Sequence, residues 1–474
     1  MQNLLSKNNI LTLKIDRLAF GGVGVGKLPT DQGDFIVFVE NAIPGQTVRA
    51  MVQSRKKRFA ECRLLEVITK SKDEVEIPFQ PVPGAPYATW PVELQHDNKI
   101  TESIRMLEKT AGIQLAETQF DGLVTSPSPL HYRNKMEYAF SAIGYNRETQ
   151  TDFDGFALGF KKRGTWWCVE NLEKDSGLFD AEFENLIPTI RNYCEATHLP
   201  AWHPPQRKGF FRFLTVRKSF SEDQMLINIV TAHHDEKFNL HDFASTLEKA
   251  LGRRLAGVIH TINGDTGDRV MPLEGESQLV FGREFITEKI LDLDFRIGMT
   301  SFFQTNPASA ARLYKCVMEY TENICKSESF VLDLFCGTGT IGQLMARHTS
   351  ARVVGVDIIP SAINDAKKNA LMNGVSNVEF ICADVGLFLK EYPQYIGRIG
   401  CVVMDPPRAG IAPKTLLRVI ALNSKAIVYV SCNPATFARD AATLRENGYS
   451  LRRFTLVDQF PHTSHIEAVG LFLQ

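Results

Sequence analysis

Five apolar, β-branched runs recur in the last third of the chain, FVLDLFCG, ARVVGVDI, NVEFICAD, GCVVMDPP and KAIVYVSC, each closing on a polar, glycine- or proline-containing turn. The helical stretches IGQLMARH, SAINDAKKNALMNG, LFLKEYP and ATFARDAATLRENG alternate with them. A continuous apolar run suits a strand buried on both faces, and parallel strands require a crossover that is usually a helix. The rhythm therefore predicts a doubly wound, Rossmann-like α/β domain over residues 291–474. In such sheets a ligand lies outside the carboxyl ends of the strands. Asp333, Asp357, Asp384, Asp405 and Cys432 all fall at those ends.

The preceding chain reads differently. Residues 1–68 carry short strand-like runs, ILTLKIDRLAF, DFIVFVE, QTVRAMVQS and FAECRLLEVI, separated by glycine- and proline-containing turns. This predicts a small β-barrel of the oligonucleotide-binding type. Gly21, Gly22, Gly24 and Gly26 join two strands with no helix after them, so they read as a turn and not as a dinucleotide fingerprint. Proline-rich residues 76–91 mark a boundary. A helix follows over 94–112, with Ile100, Ile104, Leu107 and Ala111 along one face, inside a helical segment 94–124 expected to pack on the catalytic domain. Alternating segments such as KMEYAFSAIGY and FLTVRKSF, with one helix around 178–198, make 69–290 a central α+β domain.

Bulk properties exclude several classes. With 44% hydrophobic and 23% charged residues the chain can bury ordinary cores, and no apolar run is long enough to span a bilayer, so no membrane partner is expected. The first twenty residues lack a signal-peptide pattern, which makes the cytoplasm the expected location. Nine cysteines, at 62, 168, 194, 316, 325, 336, 382, 401 and 432, include no C-x-x-C pair. That argues for a reducing compartment and against a metal site. The net charge of −1 conceals a basic cluster, Arg55-Lys-Lys-Arg58, and a mixed basic and aromatic run, RKGFFRFLTVR, over 207–217. Together they permit a polyanionic partner.

The strand ends specify chemistry. The first turn, DLFCGTGT over 333–340, sets glycines, among them Gly337, before a helix whose free N–H groups can face a ligand. Asp357, about 20 residues on, can accept ribose hydroxyls, and Asp384 can bond an adenine amino group. An adenosine-containing cofactor fits, although the aspartates could instead cap the following helices. The turn lacks the full G-x-G-x-x-G of dinucleotide sites. Asp405-Pro-Pro-Arg-Ala-Gly410 restricts its backbone and suits the edge of a nucleobase. Cys432 ends the fifth strand just before a helix, where a thiol pKa can be lowered, whereas Cys336 and Cys401 read as packing.

Phe302-Phe-Gln-Thr-Asn306, DLFCGTGTIG, DPPRAG, SCNPATFARD and HTSHIEAV together resemble the RNA uracil-5-methyltransferase family, which makes 5-methyluridine in transfer and ribosomal RNA. The N-terminal run resembles that family's TRAM barrel. The resemblance implies S-adenosyl-L-methionine as cofactor, with Gln304, Phe335, Gly337, Thr340, Asp357 and Asp384 around it and Asp405 where cofactor and uracil meet. It implies Cys432 as the nucleophile that adds to C6 of uracil, Glu467 as the base that removes the C5 proton, and Phe302 beside the extruded base. Arg133, Lys135 and the 207–217 run would help hold RNA. The barrel leans the expected target toward 23S ribosomal RNA, with transfer RNA the alternative, and a monomer is the expected state.

Two departures stand out. Many relatives carry an iron–sulfur cluster whose cysteines precede an L-Q-H sequence, but here the matching stretch, ATWPVELQH over 88–96, has no cysteine. No cluster and no other metal is expected. Asp357 stands where relatives often have glutamate, so its reach is shorter. Two rivals follow from the same residues: a methyltransferase for exocyclic amino groups, which needs no thiol, and a non-catalytic RNA-binding protein that keeps the architecture.

Overall fold

Alternation along ILTLKID turns Leu11, Leu13 and Ile15 to one side of the first strand, β1 (Ile10–Ala19), and leaves Thr12, Lys14 and Asp16 in water. Four further strands, β2 (Val23–Thr30), β3 (Gly33–Glu40), β4 (Thr47–Arg55) and β5 (Phe59–Thr69), close with β1 into a barrel of order β1-β2-β3-β5-β4. Its interior is Ile15, Val37, Val39, Val48, Val52 and Ala60, all fully buried. In this computed structural model the described residues are 5–30, 33–114, 120–272, 275–322, 324, 330–392, 395 and 397–474. Cys325, Pro393 and the 115–119 part of the helical segment expected over 94–124 lie outside them.

Contacts divide the chain into two units, one of Met1–Pro129, Asp405–Ala421 and Lys425–Gln474, the other of Leu130–Met404 and Leu422–Ser424. In the first, the proline-rich linker is tied down by aromatic packing. Tyr87 and Trp90 meet edge to face, 6.0 Å between ring centres, against Leu18 and Ile43, and the Tyr87 hydroxyl donates to the Gly22 carbonyl. Helix α1 (Val92–Ala111) follows and ends at left-handed Gly112. Its buried residues are Gln95, Lys99, Glu102, Ser103, Leu107 and Ala111. Of the expected stripe Leu107 and Ala111 are buried and Ile100 and Ile104 half-buried, and the polar Gln95, Lys99, Glu102 and Ser103 are buried as well. The same unit pairs Ala426–Ser431 with Glu467–Leu473, that strand with Ser450–Val457, and this one with Phe120–Val124. The helix Pro434–Glu446 buries Phe437 against the rings of Tyr429 and Phe454, 5.3 and 5.4 Å away.

The second unit contains a seven-stranded sheet, in which Phe211–Ser219 lies between Gln224–Thr231 and Lys135–Asn146. It also holds four parallel strands in the order Val378–Cys382, Arg352–Asp357, Phe330–Leu334, Ile399–Met404, with helices Thr340–His348, Pro360–Met372 and Val385–Glu391 between them in sequence. The order reverses direction at Phe330–Leu334, the switch point at which such sheets bind ligands.

The basic and aromatic run 207–217 corrects an expectation. Phe210, Phe211, Arg212, Phe213 and Arg217 are buried, because most of the run becomes an interior strand. Arg212 Nη1 donates to the carbonyls of Asn263 and Asp265 at 2.6 Å each, and its guanidinium lies 4.4 Å from the Trp202 ring. Arg217 donates to the Met299 and Ser301 carbonyls. These cations satisfy backbone inside the fold, so of the run only Arg207 and Lys208 keep exposed charge.

Candidate functional site

In the first unit Cys432, Asp405 and Glu467 lie close enough to act on one another electrostatically. Ser431 ends its strand and Asn433 caps the next helix, accepting from the Ala435 N–H at 3.1 Å, so Cys432 is left between strand and helix, half-buried. Glu467 opens its own strand opposite Val457 and is 4% exposed. Asp405, half-buried, begins the Asp-Pro-Pro turn. Burial pushes the Asp405 carboxyl up to about 7, and burial with the nearby Asp405 charge pushes Glu467 up to about 8, against the opposing pull of Arg408. Burial first, then the charges of Glu467 and Asp405, raise the Cys432 thiol to about 11 despite Arg408. A cysteine placed just before a helix predicts a lowered thiol pKa. The position of Cys432 before the helix is as expected, but desolvation and two carboxyls outweigh Arg408. Cys401 is fully buried, and burial raises the Cys336 thiol strongly.

The turn that carries Asp405 is clamped by residues to which the sequence reading gave no role. Asp440, 2% exposed, accepts from the Ile411 N–H at 3.1 Å, from the Tyr429 hydroxyl at 2.7 Å and from Arg439 Nε at 2.8 Å. Arg439 Nη2 in turn donates to the carbonyls of Ala409 and Ile411. Asn433 Nδ2 donates to the Arg408 carbonyl at 3.2 Å. Gly410 has φ +73°, and a Cβ there would sit 2.4 Å from Arg439 Nη2, so only glycine lets the clamp close. The A-R-D of SCNPATFARD was the available signal.

A second network holds the loop 458–466 that leads into Glu467. Lys99 Nζ donates to Asp458 at 2.7 Å and to the Phe460 carbonyl, His96 meets the other Asp458 oxygen at 3.0 Å, and Gln95 accepts from the His462 N–H at 2.9 Å. Lys99 and Asp458 are almost wholly buried. Burial tends to raise the Asp458 carboxyl, but His96 and Lys99 bring it below its ordinary value, and burial lowers Lys99. Gln95 and His96 belong to the L-Q-H sequence at 94–96.

In the second unit the residues expected around the cofactor share one edge. Phe335 has φ +64°, an uncommon conformation for a bulky side chain, at the tight turn after Phe330–Leu334. Gly339 caps the helix Thr340–His348 with φ +73°, and a Cβ there would lie 2.4 Å from the Phe380 ring. Asp357 accepts from the Gly337 N–H and the Ile359 N–H, both at 2.9 Å, which orients its carboxylate along the turn. Asp384 caps the helix Val385–Glu391, accepting from the Leu387 N–H at 2.9 Å, so the capping alternative is realised there. Phe302 is 67% exposed beside Gly337, and its carbonyl accepts from Thr338 Oγ1 at 3.2 Å. Asn134 is 2% exposed; its side chain donates to the Gln304 carbonyl at 3.0 Å and its N–H to that of Thr305. Asn134 with Arg217 thus fixes the segment bearing Phe302 and Gln304. Of the expected RNA contacts, Lys135 pairs with Glu137 at 2.7 Å, and Arg133 is half-buried beside Tyr132.

A glycine turn that brings backbone N–H groups close, a carboxylate on the next strand, and exposed apolar Ile358, Ile359, Leu387 and Phe302 suit an adenosine-containing ligand. A family model described as tRNA (uracil-5-)-methyltransferase matches residues 270–474. An uncharacterized RNA methyltransferase of Caldanaerobacter subterraneus subsp. tengcongensis is 36% identical, over 98% of this chain and 99% of the relative. Another, of Clostridium acetobutylicum, is 34% identical over 99% of this chain and 98% of its own length. The crystal structure of Pyrococcus abyssi tRNA (uracil-54, C5)-methyltransferase in complex with S-adenosyl-L-homocysteine aligns with TM-score 0.72 at 24% identity, over 98% of this chain and 100% of that one. The fold is that of an S-adenosylmethionine-dependent methyltransferase with an N-terminal barrel, and the protein is an RNA methyltransferase. The chain belongs to the RNA (uracil-5-)-methyltransferase family.

Proposed function

We propose that this protein converts uridine to 5-methyluridine in RNA through a covalent bond between Cys432 and C6 of the uracil. The observation that carries the reading is the grouping of one half-buried thiol with two elevated carboxyls, Asp405 and Glu467. An exocyclic amine can be methylated without a thiol, whereas uracil C5 is too weak a nucleophile to react directly. Bound S-adenosylmethionine supplies an electrophilic methyl group, and Gln304, Phe335, Gly337, Thr340, Asp357 and Asp384 are the residues proposed to hold it.

Cys432, once ionised, adds to C6 and makes C5 enolate-like. After C5 carries the methyl group, the Glu467 carboxylate takes the C5 proton, the C5–C6 double bond re-forms and the thiolate leaves. A carboxylate held near 8 is a far stronger base than an exposed one, which suits it to a carbon acid. Asp405 is proposed to orient the pyrimidine edge, and Phe302 to face the extruded ring. The barrel, the region 69–290 and the region 291–474 are assigned as TRAM, RNA-binding and methyltransferase domains of a cytoplasmic monomer.

The proposed target is 23S ribosomal RNA, on the strength of the N-terminal barrel. Transfer RNA is the second reading, favoured by the description of the matching family model and by the substrate of the Pyrococcus abyssi enzyme. Mapping 5-methyluridine in both RNAs from cells with and without the gene decides between them. A Cys432→Ala chain in the deletion background should restore none of the lost 5-methyluridine, and restoration would overturn the mechanism.

A further inference from the structure

A cavity of about 630 Å³ lies in the first unit, between the outer face of the barrel and α1. Parallel pairing of β3 with β5 sets Phe38 beside Glu61 and Ile36 beside Phe59, so that Phe38, Glu40, Phe59 and Glu61 share the barrel side of the cavity. The Phe38 and Phe59 rings meet edge to face, 5.4 Å apart. Across from them α1 presents Glu102, Arg105, Met106 and Lys109, the i, i+3, i+4, i+7 face of a helix. Glu102 is engaged by Arg105 and lies 3.8 Å from Arg17. Glu40 and Glu61 remain as carboxylates on the open side, Glu61 also accepting from the Ser54 hydroxyl.

The basic cluster singled out in the sequence is the turn from β4 into β5. Arg55, Lys56, Lys57 and Arg58 are all exposed there, and Phe59, the next residue, lines the cavity. Exposed cations next in sequence to a lining ring, aromatic rings in the cavity and a volume suited to a small ligand are the elements of a site for one unstacked nucleotide. The carboxylates set the base. Guanine offers two adjacent donors, N1–H and the N2 amino group, that a carboxylate accepts in bidentate fashion. Uracil offers one N–H between two carbonyls, and adenine and cytosine set an amino donor beside a ring acceptor.

We propose that this groove binds an unpaired guanosine of the RNA, apart from the methylated uridine, with its phosphate on the Arg55–Arg58 turn. The inference rests on the reading of the protein as an RNA methyltransferase. Binding of labelled single-stranded hexanucleotides to the full chain tests it, using hexauridine, the same oligomer with one central guanosine, and one with inosine, which lacks the amino group. The guanosine oligomer should bind about tenfold more tightly than hexauridine, with most of that gain lost for inosine. Phe38→Ala with Phe59→Ala, or the milder Glu40→Gln with Glu61→Gln, should erase the preference. Lys56→Glu with Lys57→Glu should weaken all three oligomers alike and flatten the salt dependence. Equal binding of the three by the unaltered protein, or a preference that survives the aromatic and glutamine variants, would overturn the proposal. A covalent trap with RNA carrying 5-fluorouridine, whose C5 fluorine cannot leave as a proton, separates the failures. If the trap works and the preference is absent, the groove proposal alone falls; if the trap fails, the uracil-C5 reading falls whatever the groove binds.

Discussion

At the residue scale, three neighbouring groups depart together from ordinary values. Glu467 and Asp405 are carboxyls that the folded chain keeps protonated up to about 8 and 7, while an unfolded chain ionises them near the usual carboxylate range. A folded pKa raised in this way gives stability that is full below the unfolded value and is lost as pH rises through the folded one. Glu467→Gln, which cannot ionise, should therefore melt at about the same temperature as the unaltered protein at pH 5 and above it at pH 9. The same variant should stall after methyl transfer, so that ordinary uridine RNA stays attached to protein under denaturing conditions; free 5-methyluridine at an undiminished rate would deny Glu467 its role. Because burial and two carboxyls hold the Cys432 thiol near 11, adduct formation should keep rising with pH above 8. Cys432 and its strand end were legible from the apolar run and the Asn-Pro that follows it. The direction of its shift was not, because Glu467 and Asp405 reach it from other segments of the chain.

At the element scale, α1 and the helix Pro434–Glu446 work as braces. Both could be read from their periodicity and end signals. The expected α1 stripe, however, ran through Ile100 and Ile104, whereas the covered face includes Gln95 and Lys99, which bond the loop before Glu467. Hydrophobic period alone cannot announce a buried ion pair, whose partner Asp458 lies more than 350 residues away in sequence. Removing one partner strands the other charge, so Lys99→Met should cost about 3–5 kcal/mol of stability in denaturant titration, with the cost partly recovered in Lys99→Met/Asp458→Leu. Asp440→Asn loosens the clamp on the Asp405 turn and should lower kcat about 100-fold with a smaller effect on KM, read from single-turnover methyl transfer. The run 207–217 illustrates the opposite error. Its arginines have the composition of an RNA face, yet only pairing partners far along the chain reveal an interior strand.

At the scale of the whole molecule, the parallel strands and the barrel were legible because each is patterned locally. The seven-stranded sheet was foreseen only as α+β, since its order depends on pairings remote in sequence. The proline-rich linker is held by Tyr87, Trp90 and the Gln95 amide, with bonds from Gln95 to the Tyr87 and Trp90 carbonyls at 3.1 and 2.6 Å. Because the stretch ATWPVELQH over 88–96 has no cysteine, iron and sulfide analysis of protein purified without oxygen should find no stoichiometric cluster. The central claim is that one chain joins a thiol nucleophile to S-adenosylmethionine chemistry on uracil C5. Incubating the protein with S-adenosylmethionine and RNA carrying 5-fluorouridine at the target, then sequencing the cross-linked peptide by mass spectrometry, tests it most directly. A stable methylated adduct on Cys432 is the expected result, because fluorine at C5 cannot be removed as a proton. Methyl transfer to an exocyclic nitrogen with no adduct, or an adduct on any other cysteine, would contradict it.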